Sequence, residues 1–272
     1  MTDQAYNALD ALNEVEGYLE DQATASAGNY ERVLPEEGLA GLRFVEYIEL
    51  GKVEETFEGK PKVVEKVLLT FELHGSKWPV SDEGKPLRLT WDMNKSTSEK
   101  SAYFKLFKSM NADGTATHMA KLLGKAFMGN VRHHPTKKDP TKKYATLRDL
   151  NNVFTIRPPI YEDPITNEKK TLDVAPFYGP IKVFLFDLAS KPMWDSLFID
   201  GMYEEQRDEK GEVTKPAKSK NWLQERIMSA KNFPGSKLAA MVQAGGLPNI
   251  QNGAIKVERG DAASADPLAQ AG

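Results

Sequence analysis

Residues 63–73 read VVEKVLLTFEL, and this stretch decides the fold class. Every second residue from Val63 to Leu73 is apolar, with Glu65 as the one interruption. A period of two places those side chains on one face of an extended chain, and β-branched and aromatic residues suit a strand. The stretch therefore predicts a β-strand with one buried face.

Two more strands are expected on either side of it. GLRFVEYIEL at 41–50 alternates in the same way, and LRLTWDM at 87–93 places Trp91 on one side and Arg88 on the other. The charged stretch GKVEETFEGKPK at 51–62, punctuated by glycine and proline, predicts a loop between the first two strands.

A helix follows the third strand. Ser96 and Glu99 have the spacing of a capping box, and the residues after them place an apolar stripe on one face. That stripe consists of Tyr103, Leu106, Phe107 and Met110. Lys100, Phe104 and Lys108 lie on a neighbouring face. A short second helix at 117–123 and two strands, 126–134 and 143–149, complete this part of the chain.

Three strands, a helix and two further strands are the element order of an OB-fold, whose helix lies between strands three and four. The predicted fold class is therefore mainly β with α additions (α+β), an OB-like five-stranded barrel with N- and C-terminal helical extensions. Other small barrels and α+β sandwiches contain the same elements, so the order favours an OB-like fold without excluding them.

The chain divides into four segments by composition. Residues 1–36 are predicted to form an acidic amphipathic helix and a small-residue linker, and 37–200 the OB-fold core with a strand and helix extension. Residues 201–244 comprise a polar loop and a C-terminal helix with Leu223, Ile227 and Ala230 on one face. Residues 245–272 predict a flexible tail.

The composition narrows the classes of protein. The chain has no cysteine, which excludes disulfides and thiolate metal sites. Its N-terminus lacks the apolar region of a secretory signal, and no apolar run approaches the roughly 20 residues of a membrane span. We therefore expect a cytoplasmic protein without membrane contact.

Charge is divided along the chain. Residues 1–40 hold nine acidic side chains and one basic, whereas residues 95–148 hold twelve basic and three acidic. The basic side chains are densest in HHPTKKDPTKKYATLRD at 133–149, which joins strands four and five. This segment predicts an anionic partner, although a solvated turn balanced by the acidic end of the chain would have the same composition.

Nucleic acid is the anionic partner that the residue types favour. Lysine and arginine bind phosphates, and aromatic side chains supply platforms on which the bases of a single strand stack. In OB-folds the loops after strands one and four close over oligonucleotides, and both carry lysines here. Trp91 and Tyr144 have core positions as their alternative. The candidate nucleic-acid-binding residues are Lys52, Lys60, Lys62, Arg88, Trp91, Lys100, Phe104, Lys108, Arg132, His133, Lys137, Lys138, Lys142, Lys143, Tyr144 and Arg148.

Catalytic and metal-binding patterns are weak. The four histidines lack the spacing of a zinc site, and adjacent His133 and His134 on a strand point to opposite faces. No nucleophile elbow or phosphate loop occurs. Asp163, Glu168 and Lys170 resemble the core of a metal-dependent nuclease but fall in an apparent turn. We expect no cofactor, no metal and no catalytic activity.

The chain resembles phage-encoded single-stranded DNA-binding proteins of the replication and recombination module. The resemblance rests on RFVEYIELG, VVEKVLLTFELHG, SAYFKLFKSMN, THMAKLLGKAFMGNVRHH, KKYATLRD, PMWDSLFIDG and NWLQERIMSAKNFPGS, which cover roughly residues 40–240. It implies an OB-fold, non-catalytic binding and protection of single-stranded DNA, and replication or recombination enzymes as partners, with a homo-oligomer left open.

The chain departs from that family at its C-terminus. Many such proteins recruit partners through an acidic tail, whereas VERGDAASADPLAQAG carries only three acids, offset by Arg259. Acidic residues cluster instead in residues 1–21, which we expect to dock a partner or to cover the DNA groove. The competing functions are a structural or interaction component, such as a phage assembly scaffold, and a metal-dependent nuclease.

Overall fold

The computed structural model describes most of the chain from residue 34 onward. The described residues are 34–57, 59–136, 139–208, 210–244, 249–251 and 254–256. The predicted acidic helix at 1–21 and its linker lie outside them, as do Lys137, Lys138 and most of the C-terminal tail. No helix in the described part of the chain combines the length and apolar character that crossing a membrane requires.

The structure is mainly β with a few short helices. The strands are β1 (Gly38–Phe57), β2 (Lys60–His74), β3 (Arg88–Asn94), β4 (Ala126–Pro135), β5 (Lys143–Thr146), β6 (Ile160–Glu162), β7 (Lys169–Thr171), β8 (Lys182–Phe184), β9 (Met202–Tyr203), β10 (Gln206–Arg207), β11 (Val213–Lys215), β12 (Lys218–Ser219), β13 (Asn249–Gln251) and β14 (Ala254–Lys256). The α-helices are α1 (Ala102–Met110), α2 (Lys191–Asp195), α3 (Trp222–Met228) and α4 (Lys237–Ala244), with 3-10 turns at Met119–Leu122 and Phe186–Leu188.

One open sheet organises the molecule. Its strands follow the order β3-β2-β1-β4-β5 with antiparallel neighbours, and β8 pairs in parallel with the middle of β1. The mainly β class and all five expected strands are confirmed. The expected barrel does not close, because β3 and β5 are not paired within the described residues.

The segment after β5 contacts β3 at the point where a closed barrel would pair β3 with β5. Thr155 donates its backbone N–H to Leu147 O at 2.8 Å, and Arg157 pairs with Met128 of β4. The ring of Phe154 then stacks on Trp91 of β3, with centroids 5.4 Å apart. Side-chain stacking thus joins the two ends of the sheet where a closed barrel would have a backbone ladder.

β1 pairs with β2, β4 and β8. Its pairing with β2 is interrupted by two irregularities, one between Phe44 and Glu46 and one between Glu49 and Gly51. Gly51 has φ +81°, and a Cβ there would lie 2.7 Å from the side chains of Ala230 and Phe186. Only glycine suits this close approach at positive φ.

Apolar side chains cover both faces of β1 and β2. One face carries Phe44, Leu69 and Phe71 against α1 and the turn at Met119–Leu122. The opposite face carries Ile48, Leu50 and Leu68 against the C-terminal helices. The sequence predicted one buried face for the strand at 63–73, whereas residues 67–73 are buried on both faces.

Three local expectations were wrong. Residues 51–62 are not a loop: β1 and β2 continue as a paired ribbon to Phe57 and Lys60, where charged pairs such as Lys52 with Glu65 replace apolar ones. The capping box does not form, since α1 begins after Ser101, whose Oγ accepts from Phe104 N at 3.0 Å. The expected polar loop after residue 200 contains the short strands β9 to β12.

Candidate nucleic-acid interface

The β4–β5 hairpin presents the basic segment. Arg132 pairs with Thr146, and His134 pairs with Tyr144, so Arg132, His134 and Tyr144 lie on one side of the hairpin. Val131 and Ala145 contact the core on the other side. The Tyr144 ring is 46% exposed and meets His134 edge to face, with centroids 6.1 Å apart. Of Trp91 and Tyr144, the two candidates with a core position as their alternative, Tyr144 is exposed beside the cations of the hairpin.

A short turn fixes the base of the loop. Thr136 N donates to Lys142 O at 2.8 Å, and Asp139 Oδ1 accepts from the backbone and hydroxyl of Thr141. These bonds from Thr141 hold the pKa of Asp139 below its usual value. Lys142 and Lys143 are exposed beside this turn, and only Lys142 approaches Asp139, at 3.8 Å.

A second cation lies on an aromatic stack at the open edge of the sheet. The Arg148 guanidinium lies 4.1 Å from the centroid of Phe154, which stacks on Trp91, which in turn stacks on Phe71 at 5.4 Å and 3°. Burial lowers the pKa of Arg148, yet the group remains cationic at neutral pH. Trp91 is therefore half-buried, between the core and this cationic stack.

The stack continues into a protruding turn. Asp149 accepts from the backbone of Asn151 and Val153, and Arg148 donates to Asn152 Oδ1 at 2.9 Å. Leu150 at the tip is 89% exposed. The turn therefore holds Arg148 in place over Phe154 while leaving an apolar tip in solvent.

Helix α1 brings a third group of predicted residues near this edge. Ser109 Oγ donates to Ile156 O at 2.6 Å, which joins α1 to the segment that carries Phe154. Lys108 lies 5.9 Å from the Phe104 ring on the exposed side of the helix, and Lys100 is exposed just before the helix begins.

Arg88 lies elsewhere, on the opposite face of the sheet. It donates to Glu72 at 2.8 Å and to Tyr178 O at 3.0 Å, and it approaches Glu46 at 3.8 Å. Glu72 is completely buried and also accepts from Tyr178 N. Arg88 therefore neutralises an internal carboxylate and anchors the chain at Tyr178.

The lysines of the β1–β2 ribbon are far from the β4–β5 hairpin in the sheet. The ribbon contains the carboxyl end of β1, residues 51–57, whereas the β4–β5 hairpin extends beyond the amino end of β1. Lys52 is bound at its backbone by Asn232 and Lys231. Lys60 and Lys62 are exposed on β2. The structure thus gives the two predicted basic loops opposite ends of one strand.

His133 anchors the chain before β1. Its backbone donates to Glu37 Oε1 at 2.8 Å, and its Nε2 lies 2.7 Å from Pro35 O. The bond from His133 lowers the pKa of Glu37. His133 therefore has a visible structural role, whereas its neighbours Arg132 and His134 lie on the exposed side.

The possible nuclease residues lie in the β6–β7 hairpin. Asp163 Oδ1 accepts from the backbone of Ile165 and Thr166, which closes the turn. Lys169 pairs with Glu162 at 3.5 Å. Within the described ranges, no three histidine, aspartate or glutamate side chains are grouped in a way that would hold a metal ion.

Phe154 is the member of this site that sequence reasoning missed. It lies in NNVFTIRPP, where the Pro-Pro pair obscures a short run of β-branched and aromatic residues at 153–156. That run, directly after the turn signal at 149–152, was the available indication of a strand that returns along β5.

Comparison of the chain with protein-family models, with curated proteins and with solved structures gives no match.

Proposed function

We propose that this protein binds single-stranded DNA without catalysis and without strong sequence preference. The observation that carries the proposal is the β4–β5 hairpin, whose exposed Tyr144 lies beside exposed Lys142 and Lys143 and which leads directly to Arg148 at the open edge of the sheet. Cations that meet phosphates and flat side chains that meet bases are the two requirements of single-strand binding.

The order of the strands supports an OB-like origin for the site. An OB-fold pairs its strands in the order found for β3, β2, β1, β4 and β5, with the helix between β3 and β4. We propose that this chain is an OB-like domain in which the Trp91–Phe154 stack replaces the last backbone ladder. A strand of DNA would follow the open edge and the β4–β5 hairpin.

The outer surface of β2 and β3 is a poor route for DNA. Glu46, Glu72 and Asp92 lie there, and Arg88 and Arg226 are already paired with them. A phosphate chain would meet carboxylates on that surface. The proposal therefore places the DNA on the exposed side of the β4–β5 hairpin. From the family resemblance we further propose replication or recombination enzymes as protein partners and the cytoplasm of an infected bacterium as the compartment.

Fluorescence anisotropy with a labelled oligo-dT of about 30 nucleotides, and with its duplex, tests the proposal at two salt concentrations. We expect salt-sensitive binding to the single strand and much weaker binding to the duplex. Equal binding to both would point to a general polyanion surface. No binding to either would reduce the lysines to a solvated turn and refute the proposal.

A role as an interaction component is the second candidate, and one surface favours it. Phe198, Met202, Tyr203 and Trp222 are all exposed, and β9 pairs with β12 beside them. Aromatic residues and methionine are enriched at protein interfaces. Analytical ultracentrifugation of the chain and of Trp222→Ser tests this: concentration-dependent association that the substitution abolishes would support it, and a monomer throughout would not.

A further inference from the structure

A cavity of about 470 Å³ opens beside β1, away from the β4–β5 hairpin. It lies between the chain after β3, the turn at Met119–Leu122 and the turn at Phe186–Leu188. The polar side chains that line it are Glu49, Lys95, His118, Lys121 and Asp187, and the apolar ones include Leu185 and Leu188. Its size is within the usual range for a small-molecule site.

The floor of the cavity is a buried polar cluster around Glu49, which is 7% exposed. Its Oε1 accepts from Lys95 at 2.7 Å and from the Tyr47 hydroxyl at 3.2 Å, and its Oε2 accepts from Phe186 N at 3.0 Å. The hydroxyls of Tyr47 and Tyr103 lie 3.1 Å apart beneath it. Both oxygens of Glu49 are therefore occupied, and the floor itself offers little to a ligand.

Hydrogen-bond donors remain around the cavity. His118 Nδ1 accepts from Ala120 N at 3.2 Å, so the proton of the neutral ring is on Nε2. Burial lowers the pKa of His118, which favours that neutral ring. Lys95 gives one of its three N–H groups to Glu49, and Lys121 gives one to Thr117 Oγ1 at 2.9 Å.

The lining is balanced in charge. Lys95 and Lys121 are cationic, Glu49 and Asp187 are anionic, and His118 is neutral. A net charge near zero favours a neutral ligand over a phosphate, because a phosphate would meet two carboxylates in the same small space. Asp187 has no ion-pair partner among the described residues, so its carboxylate is available as an acceptor.

We propose that this cavity binds a nucleobase with its sugar, either as a free nucleoside or as one base of a bound strand. A base is flat, neutral and edged with donors and acceptors, which matches polar groups between the apolar walls Leu185 and Leu188. Donors outnumber the acceptor, so thymine and guanine, which present carbonyl oxygens, should bind better than adenine. Only binding of a base that belongs to a DNA strand rests on the proposed DNA-binding function.

The cavity is close enough to the stack for one strand to serve both. Lys95 follows β3 directly, and Trp91 is four residues earlier on the same side of that strand. Four residues of a strand span about 13 Å. A base in the cavity and a base near the Trp91–Phe154 stack would therefore belong to nearby nucleotides of one DNA molecule.

Methyl NMR of leucine-labelled protein tests the proposal, with the signals of Leu185 and Leu188 as the readout. We expect thymidine and deoxyguanosine to shift these signals, deoxyadenosine to bind about fivefold more weakly, as one unmet hydrogen bond predicts, and inorganic phosphate to leave them unchanged. Shifts with phosphate as strong as those with thymidine would make the cavity an anion site. No shift with any nucleoside would end the proposal.

Leu188→Trp fills the mouth of the cavity, and Ile165→Trp is the matched control on an exposed turn outside both proposed sites. Leu188→Trp should abolish the thymidine shift of Leu185, and Ile165→Trp should not. If Leu188→Trp also weakens oligo-dT binding, the base comes from a bound strand; if it does not, the site serves free nucleosides. Thymidine shifts in a protein that binds no oligonucleotide would leave the cavity proposal standing and refute the DNA proposal.

Discussion

Basic side chains occur both on the outer face of β2 and β3 and on the β4–β5 hairpin, but they have internal partners in the first region and face solvent in the second. On the outer face of β2 and β3, Arg88 lies among Glu46, Glu72 and Tyr178, where every contact is internal. On the β4–β5 hairpin, Lys142 and Lys143 face solvent beside an exposed Tyr144. The same residue types serve internal neutralisation in the first region and remain available to a ligand in the second.

A basic residue indicates a binding site only when the residue paired with it on the neighbouring strand is also known. On the sequence alone, Arg88 is one of the candidate nucleic-acid-binding residues. Strand pairing places it opposite Glu72, whose buried carboxylate requires a cation. Substitutions on the outer face of β2 and β3 should therefore affect mainly stability, and substitutions on the β4–β5 hairpin should affect mainly DNA affinity.

The largest expected effect is on stability. Arg88→Met leaves the Glu72 carboxylate buried without its cation, and breaking such a pair costs about 3–5 kcal/mol of unfolding free energy. Urea unfolding followed by circular dichroism measures this. Adding Glu72→Leu should recover much of the loss, because it removes the unpaired charge. DNA affinity of folded Arg88→Met should match the wild type; a clear loss would move the outer face of β2 and β3 into the binding site.

The second effect is on DNA affinity. Replacing Arg132, Lys142 and Lys143 with alanine should weaken oligo-dT binding roughly 100-fold at 0.1 M salt and lower the salt slope by about 2, at about 0.7 per phosphate contact. Anisotropy titrations over a salt series measure both. The matched control replaces Lys169, Lys170 and Lys215, which are exposed on β7 and β11. Equal losses in the two triple variants would mean that only net charge matters.

Much of the sheet followed from the sequence, because alternation in 41–50, 63–73 and 87–93 is a local property. The open barrel was not predicted, because the contact between its two ends is Phe154 meeting Trp91 across 63 residues of chain, and stacking has no local pattern. The ribbon at 51–62 was missed because its cross-strand pairs are charged. Tyr144 was found as a candidate because it adjoins the lysines, whereas the role of Arg88 depended on a partner in another strand.

A third effect isolates stacking from charge. Tyr144→Ala should reduce oligo-dT affinity by about 1–3 kcal/mol, the usual contribution of one base on an aromatic side chain, and leave the salt slope unchanged. Tyr161→Ala on the β6–β7 hairpin is the control, because Tyr161 is also an exposed tyrosine of a short hairpin. A changed salt slope in Tyr144→Ala, or an equal loss in Tyr161→Ala, would show that Tyr144 does not stack on DNA.

The smallest effect concerns pH and the internally paired region. Burial lowers the pKa of His74, which lies 3.6 Å from Glu72, although the carboxylate opposes the shift. A lowered folded pKa means that the unfolded chain binds protons first, so stability is full above the unfolded value near 6.5 and falls as the pH drops below it. We expect a loss of less than about 1 kcal/mol between pH 7.5 and 5.5, since His74 is only partly enclosed.

Urea midpoints at both pH values measure this loss, and His74→Gln should reduce it. His118, whose pKa burial also lowers, is the second contributor, and His118→Asn keeps an acceptor for Ala120 N while removing the titration. The carboxylates with lowered pKa, such as Asp139 and Asp163, act below about pH 4 and so lie outside this window. An unchanged pH dependence in the His74→Gln/His118→Asn double variant would show that neither histidine is the titrating group.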